Sequence, residues 1–467
     1  MSDITEALVE IVGAEHVLLG PGIGEDYTHD EALTVAPVVP LAVVRPADTA
    51  EVARVVAACD AQGIAVTARG SGTCLSGAAV PVEGGVLVSF ERFDRIIEID
   101  TENHIAVVQA GVTLEQLDAA TAAVGLVYPV FPGENSASLG GNVNTNAGGM
   151  RAVKYGVTRT QVLGLEVVLA GGEVIRTGGK YVKATTGYDL TQLIVGSEGT
   201  LALVTEVTLK LYPRAQHTAT VLAPFPTLAE VTAAVPRLVD SGVGPLIVEY
   251  IDLLTMSVIV SSNGLELGVP EDIKANALAY LVVVVEQRSA DRLDEDVHAV
   301  AELLDGHGAM DVYVLPSGAG QALIEAREKS FWMAKANGAN DIVDIVVPRA
   351  AIPDYMERVS ALATASGSWI AGCGHAGDGN VHLGVFQGDP DVRHQLMHDL
   401  FAAGMAVGGA ISGEHGLGTE KKSYYVELED PTKIALMRRI KAAFDPNGVL
   451  NPGKLGLDSP FGPVAWP

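Results

Sequence analysis

The sequence predicts an α+β protein with two main domains, and three observations carry that expectation. Its 467 residues exceed what one hydrophobic core organises. Short runs of β-type residues alternate with helical stretches along most of the chain. The composition shifts at Pro213-Arg214, and strands and helices then recur in an order suited to a sheet layered with helices.

Taken in order, residues 3–19 read as a helix entering the turn Gly20-Pro21-Gly22-Ile23-Gly24. Leu41–Arg45 is a strand. Asp48, with Glu51 three residues on, forms a capping box for a helix that reaches about Gln62 and stops at Gly63. Ile64-Ala65-Val66 is a buried strand, and Val86–Phe90, Arg95–Ile99 and Ile105–Gln109 alternate with period 2. Thr113 and Gln116 start a helix that Gly125 ends. Val162–Leu169 and Glu173–Arg176 form a hairpin around Ala170-Gly171-Gly172, and Leu201–Tyr212 is a long strand. Beyond it come the strand Thr218–Leu222, the helix Leu228–Val239, the strands Pro245–Tyr250 and Ala279–Glu286, the helix Ala290–Leu304 and the strand Met310–Val314. A last helix, Thr432–Phe444, runs into Asp445–Lys454. The expected units are an N-terminal segment 1–35, a first domain 36–214, a second 215–425 and a returning segment 426–467.

Bulk properties remove several function classes. A net charge of −27 argues against nucleic acid or an anionic membrane as partner, because either needs a basic face. No apolar run approaches the roughly 20 residues of a membrane span. The first residues lack the basic and apolar regions of a secretory signal. Three cysteines, Cys59, Cys74 and Cys373, show no CxxC pairing, so internal disulfides and thiolate-held zinc or iron–sulfur centres are not expected. The expectation is a soluble, cytoplasmic protein.

Two tracts cannot build a core. Arg69-Gly70-Ser71-Gly72-Thr73-Cys74-Leu75-Ser76-Gly77 suits a turn whose backbone N–H groups face an anion, with Arg69 at its mouth. Phe131–Gly149 is almost all Gly, Ser, Thr and Asn, which supplies left-handed backbone and amide donors for a large polar ligand. Gly196-Ser197-Glu198-Gly199-Thr200 opens the long strand. Neither G-x-x-x-x-G-K-[ST] nor G-x-G-x-x-G is present, so any phosphate is held by backbone and hydroxyl groups.

A second set carries reactive side chains. Gly374-His375-Ala376-Gly377-Asp378-Gly379-Asn380-Val381-His382 lets two histidines converge if strands hold them on either side of the turn. Ser412-Gly413-Glu414-His415-Gly416 adds a carboxylate and a third histidine. A His/His/Glu set without thiolates suits Zn, Mn or Fe and leaves coordination positions open. His16, His29, His394 and His398 read as structural or surface residues. Arg327 can hold a carboxylate bidentately, or it can pair on a helix surface with the neighbouring Glu325 and Glu328.

Taken together, Arg69–Thr73, Gly140-Gly141-Asn142 with Asn146–Gly149, and Val195–Thr200 resemble the FAD-binding domain of the vanillyl-alcohol-oxidase/p-cresol-methylhydroxylase (PCMH) type. The resemblance extends from about Pro40 to Lys454 and is best to the branch holding the glycolate oxidase D subunit, D-lactate dehydrogenase and D-2-hydroxyglutarate dehydrogenase. It implies a PCMH-type domain of two α/β subdomains and an α+β cap with an antiparallel sheet. It further implies that Arg69, Gly70, Ser71, Gly72, Thr73, Leu75 and Ser76 wrap the FAD pyrophosphate. Pro132, Gly133, Ser138, Gly140, Gly141, Asn142, Thr145, Asn146, Gly148 and Gly149 close the same cradle, with Glu198, Gly199, Val204 and Asn451 near the flavin. Thr73 stands where some relatives carry a tethering histidine, so non-covalent FAD is expected.

The same resemblance assigns a divalent metal to His375, His382 and Glu414, the general base to His415, and the substrate carboxylate to Arg327. The implied reaction is oxidation of a small D-2-hydroxy acid to the 2-keto acid by hydride transfer to flavin N5. Hydroxyglutarate-type enzymes carry Lys and Asn where this chain has Ile342 and Gly384. D-lactate or glycolate is therefore favoured over D-2-hydroxyglutarate, the alternative. The electron acceptor is external: a quinone, an iron–sulfur subunit, a flavoprotein or oxygen. Attachment to the inner membrane through such a partner, and a homodimer, are left open. A flavin-free metal hydrolase would leave the glycine tracts unexplained, and a non-catalytic nucleotide-binding module would leave the His/Glu set unexplained.

Overall fold

A computed structural model describes residues 3–457; residues 1–2 and the tail 458–467, part of the expected returning segment, lie outside the described residues. The protein is an α+β fold built on two principal cores. In the first, strands 42–44, 86–89 and 66–69 pair in parallel, and strand 17–18 adds antiparallel at the edge. Ala42–Val44 and Val86–Val88 are buried throughout, as a parallel sheet covered on both faces requires. Beside it lies an antiparallel sheet in the order 96–100, 105–109, 203–210, 162–168, 174–178. The N-terminal helix Asp3–Val12 packs Ile4, Leu8 and Val12 into the same core. It is shorter than the expected 3–19, since Gly13 takes a positive φ and strand 17–18 follows.

Cap chemistry explains the helix starts. Thr113 and Gln116 form the full reciprocal box. Asp48 accepts from the Glu51 N–H, but Glu51 reaches back to the Ala47 N–H, one residue before the cap. The polar tract 131–149 is not wholly irregular: Leu139–Thr145 is a helix capped by Ser138 and ended by Asn146 in the left-handed region.

The second core is a seven-stranded antiparallel sheet in the order 313–315, 217–225, 279–287, 247–252, 369–375, 380–386, 341–346. Helices 228–240, 290–305, 352–366 and 390–406 cover one face. Helices 253–263 and 317–328 pack on the other. The sequence reading assigns no helix to 253–263, 352–366 or 390–406; the first is apolar nearly all round and lacks amphipathic period.

The chain then returns. Helix Pro431–Phe444 leads to Val449 and Leu450, which join the first core, and Val66 exchanges backbone bonds with Val449 and Asn451. Buried Lys441 locks this return by donating to the Thr200 and Leu450 carbonyls at 2.7 Å and pairing with Asp445.

Candidate active site

Strand register builds the reactive set. Residues directly opposite in antiparallel strands share a face. His375 lies opposite Glu249 and Asn380, and Cys373 lies opposite Ile251 and His382. His382 lies opposite Asp344. One face of the sheet therefore presents Glu249, His375, His382 and Asp344 in two adjacent rows. The Gly377-Asp378-Gly379 turn between the histidine strands needs its glycines, since Gly379 has φ +91 and a Cβ there would overlap the Val347 carbonyl.

The Ser412–His415 loop is drawn onto that face by Asp344. The Asp344 carboxylate accepts from the Ser412 hydroxyl at 2.7 Å and from the N–H groups of Gly413, Glu414 and His415 at 3.1, 3.1 and 2.8 Å. Asn380 Nδ2 donates to its other oxygen at 2.8 Å. Burial works to raise the Asp344 pKa, but the facing His415 and Lys421 hold it well below the usual carboxylate range.

Glu414 Oε1 then sits 3.1 Å from His375 Nε2 and 3.2 Å from His382 Nε2. The opposite nitrogens face carboxylates, His375 Nδ1 at 2.5 Å from Glu249 and His382 Nδ1 at 3.5 Å from Asp344. The Glu249 carboxylate behind His375 Nδ1 fixes the tautomer that leaves the His375 Nε2 lone pair for a cation. The His375, His382 and Glu414 ligand atoms lie within 4.8 Å of one another, and both His382 nitrogens are buried without a hydrogen bond. This donor set fits a divalent metal. Burial opposes ionisation of Glu414, but His375 and His382 keep it well below its ordinary value. Gly148 makes room for Glu414: a Cβ there would lie 2.7 Å from Oε2.

His415 stacks on His382 with centroids 5.0 Å apart and rings 13° from parallel. Burial pushes its imidazole down to about 3, so at pH 7 it is neutral, with a free lone pair but weak basicity until a substrate proton is itself acidified. Arg327 is not the surface residue that pairing with Glu325 or Glu328 would make it. It is 5 % exposed and lies 2.7 Å from the Glu249 carboxylate, while its Nη1 donates to Ser330 Oγ at 3.1 Å. Its Nη2 makes that ion pair with Glu249, and its Nε is buried without a hydrogen-bond acceptor.

Two cavities meet at this set. The first is lined by Gly70, Ser71, Gly72, Thr73 and Leu75, by Pro132, Gly133, Ser138, Gly140, Gly141, Asn142 and Thr145, and by Glu198, Gly199 and Val204. Two loops distant in the chain close on one another here, since a Cβ on Gly70 would overlap Ser138 Oγ. Asn142 Nδ2 is buried without an acceptor in this wall, which fits a large polar ligand such as FAD. The second cavity, about 510 Å³, reaches Arg327, His375 and His382. Leu75, Phe331, Glu414 and His415 line both.

Arg69, Ser76, Asn146, Gly148 and Asn451 stand behind the first cavity and do not line it, and Gly149 borders the second. Arg69 ends the strand Val66–Arg69, and its guanidinium donates to the His29 carbonyl at 2.6 Å beneath Gly72. It is not at the mouth of the turn. Ser76 donates to the His415 carbonyl at 3.0 Å, and Asn451 Nδ2 bonds the carbonyls of Ala78 and Glu198. Cys74 borders the first cavity as a thiol pushed up to about 12 by burial, a poor nucleophile for a covalent tether.

Glu249 and Asp344 are the site residues that sequence reasoning missed. Each is a lone carboxylate within an apolar strand, Leu246–Ile251 and Ile342–Val347. Such a carboxylate is buried only when paired, and that was the available signal.

Residues 40–178 match the family described as FAD binding domain, and residues 214–455 match FAD linked oxidases, C-terminal domain. An uncharacterised FAD-linked oxidoreductase of Mycobacterium tuberculosis is 57 % identical over 453 residues, covering 97 % of this chain and 99 % of that protein. A D-lactate dehydrogenase of Anaerostipes hadrus is 35 % identical over 95 % of each chain. Glycolate oxidase subunit GlcD of Bacillus subtilis is 35 % identical over 97 % of this chain and 96 % of its own. The fold is that of 4-ethylphenol oxidase from Gulosibacter chungangensis, with a TM-score of 0.79 at 18 % identity over 98 % and 97 % of the two chains. The chain belongs to the FAD-linked oxidases of the PCMH-type fold and is an FAD-linked oxidoreductase.

Proposed function

We propose that this oxidoreductase converts a D-2-hydroxy monocarboxylic acid to the 2-keto acid, with FAD held non-covalently in the first cavity and a divalent cation on His375, His382 and Glu414. The observation that carries the reading is the meeting of the two cavities at His415 and Glu414, which gives a proton acceptor and a cation site one shared wall with the cofactor cleft. The relatives named for D-lactate and glycolate support the same reaction class.

Bound flavin supplies the two-electron oxidant, accepting hydride from C2. His375, His382 and Glu414 would hold a divalent cation, which would supply Lewis acidity toward the substrate hydroxyl. Arg327 offers its charge and its unpaired Nε donor to the substrate carboxylate, while Glu249 holds Nη2 in place. His415, neutral and oriented by Asp344 through its backbone N–H, takes the hydroxyl proton. Leu75 and Phe331, which line both cavities, place apolar side chains where the two meet. The electron acceptor is a separate molecule. Among the described residues no helix is long and apolar enough to cross a membrane.

Anaerobic bleaching of the visible flavin band by D-lactate tests this reading. His415→Ala should retain FAD and lose bleaching by roughly 100-fold or more, the range of a positioned general base. Undiminished bleaching by that variant would remove His415 as the base. A folded preparation that takes up no FAD would sink the whole assignment.

A further inference from the structure

The reactive face of the cap sheet continues past its charged rows. Opposite residues in the next row are Ala371, Gly384 and Ile342, followed by Trp369 opposite Phe386. At about 3.3 Å rise per residue, the step from Cys373 to Trp369 covers roughly 13 Å. Along it the face changes from imidazole and carboxylate to methyl, methylene and aromatic ring.

Helices 253–263 and 330–336 roof this strip with Leu254, Val258 and Met333. The cavity so formed, about 510 Å³, falls within the roughly 300–1,000 Å³ of ordinary ligand sites. Small residues keep it open: a Cβ on Gly384 would already touch Phe386 and Ala334 at 3.4 and 3.6 Å, so a larger side chain there would fill the strip. Its mouth is apolar too, since Trp369 is 71 % and Leu254 50 % exposed. Among its described lining residues, Arg327 supplies the permanent cation, and Arg327 sits at the charged end.

We propose that the C2 substituent of the substrate is an apolar chain of several carbons, received by the slot over Ala371, Gly384 and Ile342. The proposal deepens the 2-hydroxy-acid reading and rests on it. An amphiphile fits the graded face: the carboxylate and hydroxyl meet Arg327, the cation site and His415, and the chain runs toward Trp369. A second carboxylate would lie on Ile342 and Gly384 with no partner, and leaving it so costs far more than burying methylenes gains. Lactate and glycolate would leave the slot to water.

The test is a chain-length series on the FAD- and metal-loaded full chain with a dye acceptor: glycolate, D-lactate, D-2-hydroxybutyrate, D-2-hydroxyhexanoate, D-2-hydroxyoctanoate and D-2-hydroxyglutarate. Burial of about 0.8 kcal/mol per methylene gives a rise in kcat/KM of roughly threefold to fourfold for each added CH₂. D-2-hydroxyglutarate should fall at least about tenfold below the uncharged acids of similar length. Tryptophan-fluorescence titration with the corresponding 2-keto acids should give the same ranking of Kd. Gly384→Val narrows the slot and should lower the octanoate-to-lactate ratio of kcat/KM by about tenfold or more. A flat or falling series, with lactate or glycolate still oxidised, overturns the apolar slot and leaves the reaction standing. An unchanged ratio in folded, FAD-loaded Gly384→Val also overturns it. If no acid of any length bleaches bound flavin, the reaction assignment itself falls.

Discussion

The two halves of the molecule make their sites in opposite ways. The cofactor cleft is walled mainly by backbone: Gly70, Gly72, Gly140 and Gly141 bring main chain where side chains would intrude. The cap site is made of side chains, with His375, His382, Glu414 and Arg327 held by Glu249 and Asp344. A backbone wall fails when an atom is added. A buried ionic set fails when one is removed, because each charge is the partner that makes another tolerable.

The largest effect should come from breaking the second kind. Asp344→Ala leaves the Ser412 hydroxyl, three backbone N–H groups and Asn380 Nδ2 without their acceptor. A loss of roughly 3–5 kcal/mol is expected in urea unfolding, with catalysis abolished. A variant within about 1 kcal/mol of the parent would show that water replaces the carboxylate.

Adding an atom to the first kind ranks next. Gly149 has φ +106, and a Cβ there would overlap the Phe131 carbonyl, which is backbone and cannot swing aside. Gly149→Ala should cost roughly 2–4 kcal/mol from the strained φ and the overlap together. Gly149 does not itself line the cofactor cleft, but the added atom would also press on Pro132, which does, so FAD retention should weaken, read as the flavin-to-protein absorbance ratio after gel filtration. Gly187→Ala is the control: its φ is also positive at +78, but nothing lies within 4 Å of the added atom. Equal losses at the two positions would mean that backbone strain alone decides and that close approach contributes little.

A third test separates a ligand from its support. Glu249→Gln keeps the volume but removes the charge facing both His375 and Arg327. Loss of such a carboxylate behind a ligand histidine lowers metal affinity by roughly 10–100-fold. Metal titration of chelator-stripped protein measures it, and unchanged affinity would place the cation elsewhere.

The same division governs what could be read from the sequence. The backbone-built cleft was legible because Gly/Ser/Asn density at 70–77 and 131–149 is a local property, present in consecutive residues. His375, His382 and Glu414 were legible for a similar reason, each lying in a glycine-rich motif. Glu249 was not, since its partner His375 is 126 residues away and only the order of strands places them side by side. Arg69 shows the reverse error: its charge suited an anion turn, yet strand 66–69 extends to it and spends its guanidinium on the His29 carbonyl. The apolar slot depends on Ile342 standing opposite Gly384, a register that neither residue announces alone.

The smallest effect concerns Glu198, where the two halves join. Its backbone, at φ 50, lines the cofactor cleft, while its buried carboxylate accepts from the Leu417 and Gly418 N–H groups of the cap loop at 2.7 and 2.9 Å. Burial outweighs those bonds and pushes the carboxyl up to about 7 from 4.5. Between those values the folded chain keeps a proton that the unfolded chain has released, so stability falls as pH rises through the window and levels off above it. Glu328, Asp378 and Glu420, also raised by burial to about 7, contribute with the same sign. Glu198→Gln, which cannot ionise, should therefore show a shallower fall in Tm between pH 5 and pH 7.5 than the parent, without removing the fall. Parallel profiles would mean that Glu198 stays ionised in the folded chain, and the joint would then be an anion held by two backbone donors.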